Sequence, residues 1–212
     1  MTRLTSTLDA ARRPDLYFRP GVLDGVLIFE RPTHADERGF FHEAFRLQDL
    51  ETVLGRSMRF VQVNHSRSRK DVLRGLHAEN LAKLIYVPFG DVFTAIADLR
   101  PWSPTFGRTE TFSFSDASRP TVFLPAGLAH GYCVQSDTAD YVYQVTNYYD
   151  GSDTRAVAWD DPDLAIRWPT AYPLLSDKDR TNPSFREVVA RSFPQVNTRV
   201  PPGARAVLEL SL

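Results

Sequence analysis

Apolar and β-branched residues fall along this chain in short runs, cut by glycine and proline. Between residues 60 and 157 the runs recur at 60–63, 72–76, 84–87, 92–98, 109–114, 121–124, 129–135, 141–148 and 156–159. The breaks are turn sequences: Pro88-Phe89-Gly90, Arg100-Pro101, Ser103-Pro104, Arg119-Pro120 and Pro125-Ala126-Gly127. Many short strands with Gly/Pro turns and little helix predict an all-β sandwich or barrel, and the strand count fits a jelly roll best.

The flanks read differently. Residues 21–30 are strand material, residues 36–39 (Asp-Glu-Arg-Gly) a turn, and residues 40–45 resume an extended pattern. Over residues 46–56, Leu47, Leu50, Val53 and Leu54 recur at helical spacing and Gly55 supplies a stop. After Trp168-Pro169 the pattern weakens. Residues 173–180 read as a loop lying over the barrel, 184–191 as a short helix, and the segment around Pro201-Pro202-Gly203 as a tail. The resulting organisation is an N-terminal arm (1–20, flexible or briefly helical), one jelly-roll domain (21–180), and a C-terminal helix and tail (181–212).

Composition narrows the class without choosing a function. A chain of 212 residues with 42% hydrophobic and 24% charged residues is ordinary globular material. A formal net charge of -1 argues against a general nucleic-acid binder. No apolar stretch approaches the roughly 20 residues of a membrane span, and the N-terminus lacks a continuous apolar signal-peptide core. The single cysteine, Cys133, lies in an apolar run and reads as a buried small hydrophobe. With no internal disulfide to form, the expectation is a cytoplasmic protein.

Candidate chemistry starts from five histidines, His34, His42, His65, His77 and His130, because imidazole is the natural general base near neutral pH. His77 ends the run Val72-Leu73-Arg74-Gly75-Leu76-His77. In a regular strand, alternation places Arg74 and Leu76 on one face and Leu73, Gly75 and His77 on the other. His130 closes Pro125-x-Gly127-x-x-His130, the second half of the cupin signature. The first half, Gly75-Leu76-His77-Ala78-Glu79, lacks its second His. His77, Glu79 and His130 still form a two-His, one-carboxylate set able to hold a non-haem iron, which leaves a metal-dependent cupin open as an alternative.

A longer set of motifs is more specific. Asp36-Glu37-Arg38-Gly39-Phe40-Phe41, Phe60-Val61-Gln62-Val63-Asn64-His65-Ser66, Leu73-Arg74-Gly75-Leu76-His77, Lys83-Leu84 and Gly90-Asp91-Val92-Phe93 come first. Ser103-Pro104-Thr105-Phe106-Gly107, Leu124-Pro125-Ala126-Gly127-Leu128-Ala129-His130-Gly131, Tyr141-Val142-Tyr143, Asn147-Tyr148-Tyr149, Trp159-Asp160-Asp161-Pro162 and Leu175-Ser176-Asp177-Lys178-Asp179 follow in order. From about residue 21 to 180 the chain resembles the dTDP-4-dehydrorhamnose 3,5-epimerase family of cupins.

The resemblance implies a cupin jelly roll that needs neither metal nor redox cofactor and acts at C3, C5 or both of a nucleotide-linked 4-keto-6-deoxy sugar. It implies His77 as base, Asp179 as its orienting carboxylate, Tyr143 as the acid for the opposite face, and Lys83, with Arg74, as support for the enolate or the phosphates. Periodicity alone does not separate Tyr143 from Tyr141; the resemblance picks Tyr143. It further implies Arg38, Phe40, Glu43, Gln62 and Asn64 as nucleotide-binding residues, His130 and Tyr149 as cavity residues, and a homodimer with exchanged N-terminal strands. Two departures stand out: the His77–Lys83 connection is short, and Glu79 replaces a Gln. A carboxylate there would raise the imidazole pKa if ionised, so the two departures together bear on which sugar is used. A non-catalytic nucleotide-sugar-binding cupin and a ketoisomerase on the same substrate class are the remaining alternatives.

Overall fold

The computed structural model describes residues 16–115, 117–149, 151 and 154–192. Thirteen strands and three short helices follow one another as β1 (Phe18–Pro20), β2 (Leu27–Phe29), β3 (Thr33–Asp36), β4 (Gly39–His42), α1 (Leu47–Leu54), β5 (Gln62–Arg69), β6 (Leu73–Glu79), β7 (Lys83–Phe89), β8 (Val92–Asp98), β9 (Thr109–Phe114), β10 (Thr121–Leu124), β11 (Leu128–Val134), β12 (Thr138–Val145), β13 (Thr154–Ala156), α2 (Asp177–Arg180) and α3 (Phe185–Ser192). Two sheets, β1-β2-β10-β7-β12-β5 and β13-β6-β11-β8-β9, pack face to face, and β3-β4 forms a separate hairpin. This is the expected all-β cupin jelly roll.

Period-two patterning builds the core. Ile28, Ile85, Val87, Val122 and Leu124 point inward from one sheet, meeting Val92, Ile96, Phe114, Leu128 and Val134 from the other. The alternate residues cover the outer faces. Leu27, Phe29, Leu84 and Phe123 bury against Leu50 and Val53 of α1. Leu76, Ala78, Ala97 and Ala129 bury against Phe185, Val188 and Val189 of α3. Each of those large α3 side chains is worth about 1.5–3 kcal/mol on burial, which is why so short a helix stays docked. α1 ends where the sequence predicts, on Gly55 in the left-handed region (φ 65), whose N–H donates to the Glu51 carbonyl at 2.8 Å.

Several element boundaries differ from the sequence reading. Residues 18–20, assigned to the arm, form β1 and pair with β2. Residues 1–15 of the arm and the tail around Pro201-Pro202-Gly203 lie outside the described residues. The strand expected over 21–30 is confined to Leu27–Phe29, because Gly21 donates to the Val26 carbonyl and Gly25 turns the chain at φ 79. β5 runs to Arg69, well past the predicted end at residue 63. The predicted loop 173–180 closes on the one-turn helix α2. Among the described residues no helix is long and apolar enough to cross a membrane.

Candidate active site

The site lies between the two sheets and is set by register. In the six-stranded sheet Tyr143 pairs with Asn64, and Val145 with both Gln62 and Lys83. In the five-stranded sheet His77 pairs with His130. Inward-facing positions on both walls thus bring His77, Glu79 and His130 from one side toward Gln62, Asn64, Lys83 and Tyr143 from the other.

Strict alternation would have turned Arg74 away from His77, and here the sequence expectation is corrected. Between His130 and Tyr132 the register of β11 against β6 slips by one, so two steps on β11 oppose three on β6. Such a bulge inverts the facing of one residue, and Arg74 joins His77 in lining the cavity. Gly75 makes the bulge feasible: its φ is +128, and a Cβ there would sit 2.5 Å from the Gly131 Cα.

The cavity has two lobes, of about 240 and 340 Å³, which share Asn64, His77, Tyr143 and Lys178. The smaller also takes Gln62, Glu79, Leu81 and Tyr149, and the larger Arg74, His130, Tyr132 and Ser176. His77, half-buried on β6, donates from Nε2 to Asp179 Oδ1 at 2.6 Å. In the neutral ring this contact puts the proton on Nε2 and leaves the lone pair on Nδ1. Asp179 is buried on α2. Ser176 caps that turn by accepting from the Asp179 N–H, and its hydroxyl donates to Oδ2 at 3.0 Å. Burial alone would raise the Asp179 pKa, but the His77 hydrogen bond and charge, with Ser176 and Asn182, hold it below the ordinary carboxylate value.

Tyr143 and Tyr141 separate cleanly. Tyr141 is fully buried and stacked on Tyr132 at 3.9 Å, while Tyr143 lines both lobes. Burial, the Glu79 charge and Tyr132 raise the Tyr143 pKa, opposed by Asn64 and Arg74, so the phenol holds its proton at neutral pH. Lys83 is fully buried, with its Nζ 2.5 Å from Glu79 Oε2 and 3.1 Å from His130 Nδ1. Gln62 donates to Asn64 at 2.8 Å and accepts from the Tyr149 N–H at 3.2 Å. Arg74 reaches Ser68 Oγ at 3.2–3.3 Å.

Of the residues the sequence singles out, His77, Tyr143, Asp179, Lys83, Gln62, Asn64, Arg74, His130 and Tyr149 therefore converge. Arg38, Phe40 and Glu43 do not reach the cavity within one chain. Arg38 is 84% exposed on the β3-β4 hairpin and pairs with Asp36. Phe40 lies under Arg119, and Glu43 is held by Arg31 and Arg46. Sequence reasoning missed Lys178, which lines both lobes, and Ser176; the Ser-x-x-Asp spacing of residues 176–179 is a capping-box pattern that would have flagged the turn.

The iron reading is not supported. Glu79 closes on Lys83, His77 Nε2 on Asp179, and His130 Nδ1 on the Lys83 ammonium, so the three donors do not share a centre. Among the described residues no group of three His, Cys, Asp or Glu is arranged to hold a metal. Glu79 is paired with Lys83 rather than standing alone beside His77.

The site thus sets a histidine backed by a carboxylate on one wall against a protonated phenol on the other. The family described as dTDP-4-dehydrorhamnose 3,5-epimerase matches residues 21–187. The chain belongs to that family. It is a carbohydrate epimerase, an isomerase by class. The dTDP-4-dehydrorhamnose 3,5-epimerase of Shigella flexneri is 43% identical over 164 residues, 76% of this chain and 91% of the relative. The dTDP-4-dehydrorhamnose 3-epimerase of Streptomyces niveus is 37% identical, over 76% of this chain and 80% of the relative. The structure of the dTDP-6-deoxy-D-glucose-3,5-epimerase of Legionella pneumophila, in complex with dTDP-4-keto-L-rhamnose, superposes with a TM-score of 0.77 at 38% identity, covering 82% of this chain and 95% of that one.

Proposed function

We propose that this epimerase inverts C3, C5 or both in a dTDP-linked 4-keto-6-deoxyhexose, without metal or redox cofactor, by proton transfer between His77 and Tyr143. The observation that carries the reading is the His77–Asp179 pair facing the protonated Tyr143 from the opposite sheet. A proton next to the C4 ketone is acidic. His77 Nδ1 removes it, the C–H electrons move onto the carbonyl oxygen, and an enolate forms. Tyr143 then delivers its phenolic proton to the other face of the same carbon. The imidazolium proton returns to the tyrosinate through solvent, so the cycle closes with no net change. Asp179 stabilises the imidazolium, and donors at Lys83 and His130 stabilise the enolate oxygen.

Gln62, Asn64 and Tyr149 are assigned to the nucleotide and Arg74 to its phosphates, an arginine fork being suited to two oxygens. Arg38, Phe40 and Glu43 act in the cavity of a second copy, in a homodimer with exchanged N-terminal strands; the exposure of Arg38 and Phe40 on their hairpin, with Glu43 just after it and all three away from their own cavity, supports this. The unit 21–180 carries the reaction, and the lone buried Cys133 fits a cytoplasmic setting.

The decisive experiment follows deuterium from solvent into dTDP-4-keto-6-deoxyglucose by NMR. Label entering at C3, C5 or both, with inverted product, is expected. Absence of exchange with this and other nucleotide-linked 4-keto sugars refutes the reading, and tight binding without exchange marks a binding protein instead.

A further inference from the structure

β6 belongs to the five-stranded sheet and β7 to the six-stranded one, and only residues 80–82 join them. So short a connection sets the last residue of β6, Glu79, against the first of β7, Lys83, from one wall of the barrel to the other, at 2.5 Å. Lys83 is 3% exposed. A buried ammonium without a counter-ion is costly; burial pushes the Lys83 pKa down and Glu79 pushes it back up. The other ionisable groups around it are His130 on β11 at 3.1 Å and the Tyr143 ring on β12 at 5.9 Å, with His77 and Arg74 of β6 lining the same cavity.

The consequence falls on His130. It is 7% exposed, and burial, then Lys83 and His77, drive its pKa well below the ordinary value, so the ring is neutral. An ammonium only donates, so Nδ1 must accept and the single ring proton sits on Nε2. That Nε2 is buried and has no hydrogen-bond partner among the described residues, while the ring lines the larger lobe.

We propose that Glu79 is a positioning residue: it clamps the Lys83 ammonium against His130 so that His130 turns an N–H, not a lone pair, toward the substrate. The Glu79–Lys83 pair is neutral overall, so stabilisation of a developing oxyanion at this end rests on hydrogen-bond donation rather than on a bare cation. This deepens the epimerase reading and depends on it for its catalytic meaning, but its structural content is testable without any sugar.

The test uses the full chain, with histidine ¹⁵N and lysine ¹³Cε labelling. In wild type at neutral pH, His130 is expected as the Nε2–H tautomer; an Nδ1–H tautomer overturns the proposal. In Glu79→Gln the Lys83 titration midpoint is expected to fall by about one unit or more, and in Glu79→Asp, which keeps the charge, by less. A midpoint unchanged in Glu79→Gln overturns it also. Where wild type is active, Glu79→Gln lowers kcat about tenfold, the size of one charge-assisted hydrogen bond, with KM within about twofold. Failure of wild-type exchange refutes the function; failure of the tautomer or midpoint refutes this inference alone.

Discussion

Asp179 Oδ1 lies 2.6 Å from His77 Nε2, although 102 residues separate them in the chain. The contact fixes the tautomer of the base, and its removal has a predictable cost. In Asp179→Asn the amide no longer stabilises an imidazolium and can present its own N–H to the ring. We expect kcat to fall about 10²–10⁴-fold with KM little changed, the range general acid–base groups command. His77→Asn should lose at least as much. Steady-state kinetics on both variants check this, and a loss confined to KM would contradict the assignment.

Tyr143→Phe separates the two half-reactions. The base remains, so deuterium still enters from solvent on the His77 face. Return of a proton to the opposite face fails, so the exchanged sugar keeps its configuration. Exchange within about tenfold of wild type, with inverted product down at least 100-fold, is the expected pattern. Equal loss of both would place Tyr143 in binding rather than in proton delivery.

Gly75→Ala probes the bulge that turns Arg74 inward. With φ at +128 and a Cβ landing 2.5 Å from Gly131 Cα, the strand must shift. A destabilisation of about 1–3 kcal/mol is expected, read from chemical denaturation. The folded fraction should also bind nucleotide sugar more weakly, because Arg74 and His77 lose their common face.

Asp140 reports on acid stability. Arg67 grips its carboxylate with two 2.7 Å hydrogen bonds and, with His65, holds its pKa at about 2 despite some opposing burial. The folded value lies below the unfolded one of about 3.9. The unfolded chain therefore takes up the proton first as pH falls, and the stabilisation present above about pH 4 is lost between about 4 and 2. Asp140→Asn removes that part of the dependence, so its stability should decline less steeply over this window in pH-dependent unfolding.

The sequence made the apolar architecture legible because apolar alternation is a local signal. Strands such as Thr121–Leu124 and the Gly55 stop could be read residue by residue. Cavity walls are harder. β5, Gln62-Val63-Asn64-His65-Ser66-Arg67-Ser68-Arg69, alternates polar residues toward the cavity, and polarity on a strand resembles a loop. The facing of Arg74 departs from strict alternation for a different reason: the bulge arises where Gly75 meets Gly131, a contact across β6 and β11 that no window on the chain contains. His77, Tyr143 and Asp179 were picked out by motif resemblance, and spacing alone left His77 equally usable as a metal ligand.

The distance along the chain between His77 and Asp179 also has a temporal meaning. During synthesis the base leaves the ribosome 102 residues ahead of the carboxylate that orients it, about 5–20 s at ordinary elongation rates. Among the described residues all thirteen strands precede Asp179, and α3, which packs on the outer face of the five-stranded sheet, follows it. A nascent chain can thus have all of these strands synthesised while His77 still lacks its Asp179 partner, and the contact forms only once the turn that carries Asp179 has been made.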